Sequence, residues 1–222
     1  MSNQFTLNDS YKHKGLRRKL VQKVKEKGIY NDAVLNAIET VPRHFFLDSA
    51  FHELAYEDQA MQIGSGQTIS QPFTVAYQTQ VLDIAEGDKV LEIGLGSGYQ
   101  ACILLELGAV VYSIERIEPL FERTKALLSN LGYQANLFLG DGTIGLEQHA
   151  PFDKIIVTAA APEIPDNLLN QLAIGGIMVI PVGGRENQIM YKVCRTSEKD
   201  YSKQALDGFR FVPLIGKKGW KR

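Results

Sequence analysis

The sequence predicts an α/β protein with a mostly parallel, doubly wound sheet and an N-terminal helical extension. After residue 85, short apolar segments alternate with helix-like segments, as in parallel sheets covered by helices on both faces. Before residue 85, apolar residues recur mainly at helical spacing. We therefore expect residues 1–84 to form a helical segment with an active-site loop, packed on a core of residues 85–222 as one structural unit.

Three helices are predicted in the N-terminal segment. The first places Leu16, Leu20 and Val24 on one face, and the second begins at Asn31, a residue type that caps helices. Pro42 ends the second helix, because the residue before a proline disfavours helical geometry. The predicted helices cover residues 12–28, 31–41 and 73–82, and residues 64–72 are predicted to form a loop.

Seven strands and three helices are predicted in the core. The predicted strands cover residues 89–93, 110–114, 135–139, 155–158, 177–182, 189–195 and 208–214. The predicted helices follow the first strand to residue 107, the second strand over residues 119–131 and the fourth over residues 166–172. We expect the last two strands to be antiparallel at one edge, with residues 183–188 as a connecting turn.

Composition and apolar runs indicate where the protein is located and which classes of partner it binds. The 24 basic and 25 acidic side chains give a net charge of −1, whereas nucleic-acid-binding proteins usually carry a basic surface. No apolar run approaches the roughly 20 residues that span a bilayer, and residues 1–6 lack a secretory signal pattern. Cys102 and Cys194 lie in apolar stretches and are expected to be free, buried thiols. We expect a cytoplasmic protein that binds neither nucleic acid nor membrane.

A glycine-rich loop follows the first core strand and contains Gly94, Gly96 and Gly98. In doubly wound sheets, ligands bind beyond the carboxyl ends of the strands. The dinucleotide-binding pattern GxGxxG would require its third glycine at the position of Tyr99. The chain instead has GxGxG preceded by Glu92, which resembles the first motif of methyltransferases that bind S-adenosylmethionine. The predicted fold class is therefore the Rossmann-like, S-adenosylmethionine-dependent methyltransferase fold.

Two further acids end the second and third core strands. Glu115 lies where an acid can accept hydrogen bonds from ribose hydroxyls, and Asp141 could face an adenine amino group. Each acid alone is equally typical of an exposed loop carboxylate. Together with Glu92, they favour a nucleoside-containing cofactor.

The sequence disfavours two classes of methyl acceptor. Many enzymes that methylate base amines carry Asn or Asp, prolines and an aromatic residue after the fourth strand, whereas residues 158–162 are Thr-Ala-Ala-Ala-Pro. The sequence also shows no acidic cluster for a Mg²⁺ ion. An acceptor that is already nucleophilic fits this site best.

The chain resembles the protein-L-isoaspartate (D-aspartate) O-methyltransferase family over residues 41–216. The segment Gln-Thr-Ile-Ser-Gln-Pro at residues 67–72 is the most diagnostic of this family. Two departures are Leu95, where the family often has threonine or serine, and the lysine-rich first thirty residues, to which we assign no function. The similar segments are residues 41–46, 55–58, 66–72, 91–100, 112–116, 140–142, 155–162, 179–183 and 210–214.

The resemblance implies methylation of the α-carboxylate of L-isoaspartyl residues, and weakly of D-aspartyl residues, in damaged peptides and proteins. S-adenosyl-L-methionine is the implied donor, S-adenosyl-L-homocysteine the product, and no metal takes part. The methyl ester then closes to a succinimide, which reopens partly to normal aspartate. We expect a monomer.

The resemblance also implies the site residues. Ser70 is the implied catalytic residue, and our hypothesis is that its hydroxyl aims the acceptor carboxylate, which is already ionised at pH 7. The implied cofactor-binding residues are Gln67, Thr68, Ile69, Glu92, Gly94, Gly96, Gly98, Glu115, Arg116, Asp141 and Gly142. The implied substrate-binding residues are Thr68, Ser70, Ala159, Ala160, Val212 and Leu214.

Three alternatives remain open from the sequence. A methyltransferase acting on a small molecule or RNA would share the glycine loop but not the segment at residues 67–72. An NAD-dependent oxidoreductase is disfavoured by Tyr99 and by the lack of a catalytic His or Tyr-Lys arrangement. A non-catalytic protein that binds the cofactor and a partner is the third.

Overall fold

The computed structural model describes residues 8–221, so residues 1–6, on which the expected lack of a secretory signal depends, lie outside it. The α-helices are α1 (Tyr11–Glu26), α2 (Asp32–Thr40), α3 (Pro72–Leu82), α4 (Tyr99–Glu106), α5 (Glu118–Asn130) and α6 (Asp166–Asn170). The strands are β1 (Met61–Gly64), β2 (Gln67–Ile69), β3 (Lys89–Ile93), β4 (Val110–Glu115), β5 (Asn136–Leu139), β6 (Phe152–Val157), β7 (Leu172–Gly183), β8 (Gln188–Arg195) and β9 (Tyr201–Phe209).

The central sheet has seven strands in the order β5-β4-β3-β6-β7-β8-β9. The pairs among β5, β4, β3, β6 and β7 are parallel, and β8 and β9 add antiparallel pairs at one edge. The chain moves outward from β3 to β5 and then returns to β6 on the other side of β3. The strand order therefore reverses between β3 and β6, where doubly wound sheets bind ligands. The predicted α/β class, with its N-terminal helices, is confirmed.

Local sequence signals define the ends of the first helices. The Asn31 side chain accepts hydrogen bonds from the amides of Ala33 (3.0 Å) and Val34 (3.2 Å), so the predicted cap of α2 is confirmed. Helix α3 begins with Pro72, whose missing N–H has no helical acceptor at that position in any case. Among the helices of residues 8–221, none combines the length and apolar character required to cross a lipid bilayer.

The N-terminal helices share one hydrophobic core with the sheet. Leu20, Val24 and Ile38 are at most 1% exposed and belong to the same apolar cluster as Leu104 of α4. Burial of such side chains contributes roughly 1.5–3 kcal/mol each to folding. Helices α1 and α2 are thus held on the core by their apolar faces.

The segment predicted as a loop at residues 64–72 is partly a β-hairpin. Strands β1 and β2 pair antiparallel, with Met61 opposite Ile69 and Gln62 opposite Thr68. Gly64 and Gly66 have positive φ angles of 86° and 68°, which allow the tight turn. The glycines predict the turn, but the flanking strands are too short for a clear alternating pattern.

The prediction of the last strand was wrong. It was expected at residues 208–214, whereas β9 covers Tyr201–Phe209. Strand β9 is largely exposed at the sheet edge, so it lacks the apolar residues that mark a buried strand. Residues 211–214 are apolar and cross the carboxyl end of β6, where Leu214 N donates to the Ala160 carbonyl at 2.8 Å.

Two smaller differences concern β7 and the cysteines. Strand β7 begins at Leu172, five residues before the predicted start, because Leu172 pairs with Phe152 ahead of a register shift. Helix α6 accordingly ends at Asn170 rather than at the predicted residue 172. Cys102 is a buried free thiol as expected, whereas Cys194 is only half-buried.

Candidate active site

The glycine loop connects the carboxyl end of β3 to the start of α4. Gly94, Gly96 and Gly98 all have positive φ angles, of 100°, 53° and 86°. Residues other than glycine rarely adopt this backbone conformation. The amides of Gly94 and Leu95 donate to the Ile114 carbonyl at 2.9 and 3.1 Å, which ties the loop to β4.

Two threonines hold this loop, and the sequence did not single out either as a site residue. The Thr158 hydroxyl contacts the carbonyls of Ile93 (3.0 Å) and Gly94 (2.8 Å). The Thr124 hydroxyl donates to the Gly96 carbonyl at 2.6 Å. Thr124 lies among apolar residues on the buried face of α5. A polar residue in that position was the only sequence feature that could have pointed to a hydrogen-bonding role. The loop is therefore preorganised by hydrogen bonds as well as by its glycines.

Glu115 projects from the end of β4 into the glycine loop. Its Oε2 atom accepts from Gly96 N at 3.0 Å, and its Oε1 atom accepts from the amides of Arg116 (2.8 Å) and Ile117 (2.9 Å). A carboxylate has about four lone-pair sites, so one remains for a further donor. Glu115 is 6% exposed and lines the cavities described below. Its contact with a ribose stays a prediction.

Asp141 links the end of β5 to the C-terminal segment. Its carboxylate accepts from Thr143 N (2.9 Å), Thr143 Oγ1 (2.7 Å) and Lys217 N (2.8 Å). Burial opposes ionisation, but these hydrogen bonds prevail and lower the pKa of Asp141. The neighbouring Gly142 lines a cavity, whereas the Asp141 carboxylate points toward Thr143 and Lys217. Its contact with adenine stays a prediction.

Glu92 lies inside the sheet on β3 and is fully buried. The Ser113 hydroxyl on β4 hydrogen-bonds to its Oε2 atom. Burial is the main cause that raises the pKa of Glu92 to about 8, with the charge of Glu115 adding to it against the Ser113 hydrogen bond. The carboxyl group is therefore largely protonated at pH 7. Its contact with the cofactor also stays a prediction.

Two adjoining cavities lie beyond the carboxyl end of β3. Their linings share Gln67, Gly94, Glu115 and Ala159. The predicted site residues that line the first are Gln67, Thr68, Ile69, Ser70, Gly94, Gly96, Glu115, Ala159 and Val212. Those that line the second are Gln67, Gly94, Glu115, Arg116, Gly142, Ala159 and Leu214. The structure thus brings twelve of the predicted residues together around the two cavities. The other four, Glu92, Gly98, Asp141 and Ala160, lie nearby but line neither cavity.

An open groove adjoins the first cavity on its outer side. The groove is lined by Phe73, Phe209 and Phe211, with Arg210 beside them. Four residues line both the groove and the first cavity, namely Thr68, Ser70, Thr158 and Val212. Ser70 therefore lies at the boundary between an inner cavity and an outer groove.

The backbone of Ala160 is engaged by the C-terminal segment. Ala160 N donates to the Val212 carbonyl at 2.8 Å, and the Ala160 carbonyl accepts from Leu214 N (2.8 Å) and Trp220 Nε1 (3.1 Å). These hydrogen bonds fix Val212 at the boundary between cavity and groove. The expected contact of Ala160 with the substrate stays a prediction.

Comparison with known proteins identifies the family. The sequence model of the protein-L-isoaspartate(D-aspartate) O-methyltransferase family matches residues 15–219. The chain belongs to this family. Similar members named protein-L-isoaspartate O-methyltransferase come from Cytophaga hutchinsonii, 54% identical over 96% of this chain and 97% of that protein, and from Dictyoglomus thermophilum, 51% identical over 95% of each.

Solved isoaspartate methyltransferase structures share the fold. A protein-L-isoaspartate O-methyltransferase structure matches with a TM-score of 0.82 and 27% identity, over 91% of this chain and 67% of that chain. A Plasmodium falciparum structure described by the same enzyme name, in complex with S-adenosyl-L-homocysteine, matches with a TM-score of 0.77 and 25% identity. The match covers 90% of this chain and 98% of that chain. The predicted methyltransferase fold class is confirmed.

Proposed function

We propose that the chain is a protein-L-isoaspartate O-methyltransferase. It transfers a methyl group from S-adenosyl-L-methionine to the α-carboxylate of L-isoaspartyl residues, and weakly of D-aspartyl residues, and thereby begins repair of damaged proteins. The observation that carries the proposal is the position of Ser70, which lines both the glycine-loop cavity and the outer groove. A methyl donor in the cavity and a peptide in the groove would meet at this boundary.

The inner cavities have the chemistry that the cofactor requires. S-adenosyl-L-methionine supplies an electrophilic methyl group when it is bound. Glu115 retains a lone-pair site for a ribose hydroxyl, and Gly94 and Gly96 leave the loop backbone without side chains that would obstruct a ligand. We assign the cofactor-binding role to the loop, to Glu115 and Arg116, and to residues 67–69.

Ser70 and its neighbours supply orientation rather than proton transfer. An acceptor carboxylate is ionised at neutral pH, so no general base is required. The Ser70 hydroxyl donates a hydrogen bond that aims the carboxylate oxygen toward the cavity, while Thr158 and Val212 restrict water at the boundary. Well-oriented reactants gain about 7–11 kcal/mol over free encounter in solution.

The outer groove suits the peptide that carries the acceptor. Phe73, Phe209 and Phe211 offer apolar surface to flanking side chains. Arg210 beside them is exposed and pairs with Glu186 at 3.1 Å. The groove is open to solvent and adjoins Ser70. Such a site recognises the modified residue at Ser70 and tolerates varied sequences on either side.

One assay tests the proposed function. Labelled S-adenosyl-L-methionine is offered with an isoaspartyl peptide and, as the matched control, with the same peptide containing normal aspartate. We expect base-labile methyl ester on the isoaspartyl peptide alone. Binding of S-adenosyl-L-homocysteine without label on either peptide would overturn the proposal.

We further propose that the protein is a cytoplasmic monomer that binds neither nucleic acid nor membrane. The net charge of −1 supports the absence of nucleic-acid binding. We also propose that residues 1–84 and 85–222 form one structural unit, which the shared core of α1, α2 and α4 supports. Sedimentation velocity at several concentrations tests the monomer, and a single cooperative unfolding transition tests the unit.

A further inference from the structure

Arg43 is a buried cation in direct contact with the active-site loop. It begins a short 3-10 helix (Arg43–Phe46), and its side chain is 0% exposed. Its Nη2 atom donates a 2.7 Å hydrogen bond to the carbonyl of Ser70 and lies 3.5 Å from the carbonyl of Gln59. The guanidinium therefore contacts the peptide unit of the residue at the boundary between cavity and groove.

The charge of Arg43 is only partly compensated. Burial lowers the pKa of Arg43 to about 10, so its guanidinium stays charged at neutral pH. Within residues 8–221, its Nε and Nη1 atoms have no hydrogen-bond partner. The guanidinium lies 4.9 Å from the ring centroid of Tyr99, a residue that lines the inner cavity.

The nearby carboxylate of Asp58 is engaged elsewhere. Its oxygens accept from Phe73 N (2.8 Å), Gln71 Nε2 (3.0 Å) and the Lys27 ammonium group (2.5 Å). Asp58 thereby fixes the chain just after Ser70, while Arg43 fixes Ser70 itself. Ser70 is held between these two buried side chains. Asp58 forms a salt bridge with Lys27, whereas Arg43 forms none within residues 8–221.

We propose that Arg43 is a positioning residue for methyl transfer, which holds the Ser70 peptide unit and supplies positive charge to the adjacent acceptor carboxylate. Burying a charge without full pairing is unfavourable, and an anion placed nearby offsets that cost. Electrostatic attraction is also stronger in a buried, low-dielectric site than in water. This proposal rests on the proposed function, because it requires an anionic acceptor.

Kinetics of three variants test the positioning role. Arg43→Met removes the charge, Arg43→Lys keeps it, and Arg17→Met is the control, since Arg17 is a buried arginine that pairs with Asp9 at 3.0 Å instead. We expect Arg43→Met to lower kcat/KM for the isoaspartyl peptide about tenfold or more, the effect of losing one hydrogen bond to a charged group. Arg43→Lys should recover part of this loss, and S-adenosyl-L-homocysteine affinity should change less than about twofold.

A comparison of two peptides isolates the charge effect. The isoaspartyl peptide and its neutral α-amide twin are measured as ligands by calorimetry in the presence of S-adenosyl-L-homocysteine. Arg43→Met should weaken the carboxylate peptide about tenfold and the amide peptide much less. Arg17→Met should lower the melting temperature while leaving the ratio of the two affinities unchanged.

The outcomes separate the two proposals. Equal weakening of both peptides, or a kcat/KM close to that of the wild type, in folded Arg43→Met would overturn the role of Arg43. Where that variant does not fold, Arg43→Gln removes the charge while retaining polar atoms, and the same criteria apply to it. A wild-type protein that methylates neither peptide would instead overturn the proposed function.

Discussion

The hydroxyl of Thr124 on α5 donates a 2.6 Å hydrogen bond to the carbonyl of Gly96 in the loop between β3 and α4. The amide of the same glycine donates to Glu115 at 3.0 Å. Gly96 is thus held through both its backbone polar groups, by side chains from two different elements. A ligand resting on this loop meets a backbone whose orientation is already set.

Thr124→Val tests this preorganisation. Valine keeps the shape of threonine but removes the donor, which leaves the Gly96 carbonyl without its side-chain partner. A lost hydrogen bond of this kind costs about 1 kcal/mol, so we expect S-adenosyl-L-homocysteine to bind about fivefold more weakly. Titration calorimetry measures this change. The control is Thr196→Val, whose hydroxyl bonds the Asp200 carbonyl between β8 and β9; equal affinities for both variants would contradict the prediction.

Ser70→Ala separates acceptor orientation from cofactor binding. Loss of one hydrogen bond to a carboxylate costs about 1.5–3 kcal/mol, so kcat/KM for the isoaspartyl peptide should fall about 10- to 100-fold. Affinity for S-adenosyl-L-homocysteine should change less than about twofold. Radiolabel transfer and calorimetry measure the two quantities on the same preparation. Unchanged turnover would remove Ser70 from the proposed site.

The sequence predicted most of the fold because its strongest patterns were local. Strands β3 and β4 are mostly buried and rich in apolar residues, and their predicted bounds agree with the structure to within one residue. The edge strand β9 was misplaced because its exposed residues carry no such pattern. A run of apolar residues marks a strand only where the strand is buried, because an exposed edge strand does not require apolar side chains.

The candidate site was predicted in part, and the remainder depends on tertiary contacts. Glycine spacing and Glu115 indicated the inner cavity, and family resemblance indicated Ser70. The roles of Thr158 and Arg43 were not predicted, because each contacts a backbone carbonyl more than twenty residues away in the chain. A threonine or arginine that acts in this way has no local motif.

Gly98 is required by two distinct effects that a pair of variants can separate. Its φ angle is 86°, and an added Cβ atom would lie 2.8 Å from Thr124 Cγ2 and even closer to Leu128 Cδ1. Gly132 has a similar φ angle of 80° but open space around the Cβ position. Gly132→Ala should therefore cost about 1–2 kcal/mol from backbone strain alone, and Gly98→Ala about 1–3 kcal/mol more from overpacking. Denaturant unfolding measures both, and equal losses would contradict the packing effect.

Glu92→Gln tests the protonation state inside the sheet. The folded protein raises the pKa of Glu92 from its usual value of 4.5 to about 8. Between these values the unfolded chain has released this proton and the folded chain has not, so the Glu92 contribution to stability falls as the pH rises. Glutamine has no such proton and should stabilise the protein increasingly as the pH rises from 4.5 to 8.

The expected gain from Glu92→Gln is on the order of 1 kcal/mol per pH unit within this window. In a protein of this size, that corresponds to roughly 2–4 °C in melting temperature per pH unit. Thermal unfolding by circular dichroism at several pH values measures the difference between variant and wild type. Glu163→Gln, a substitution at an exposed loop residue, is the matched control. A difference that stays constant with pH, or that shrinks as the pH rises, would show that Glu92 is ionised in the folded protein.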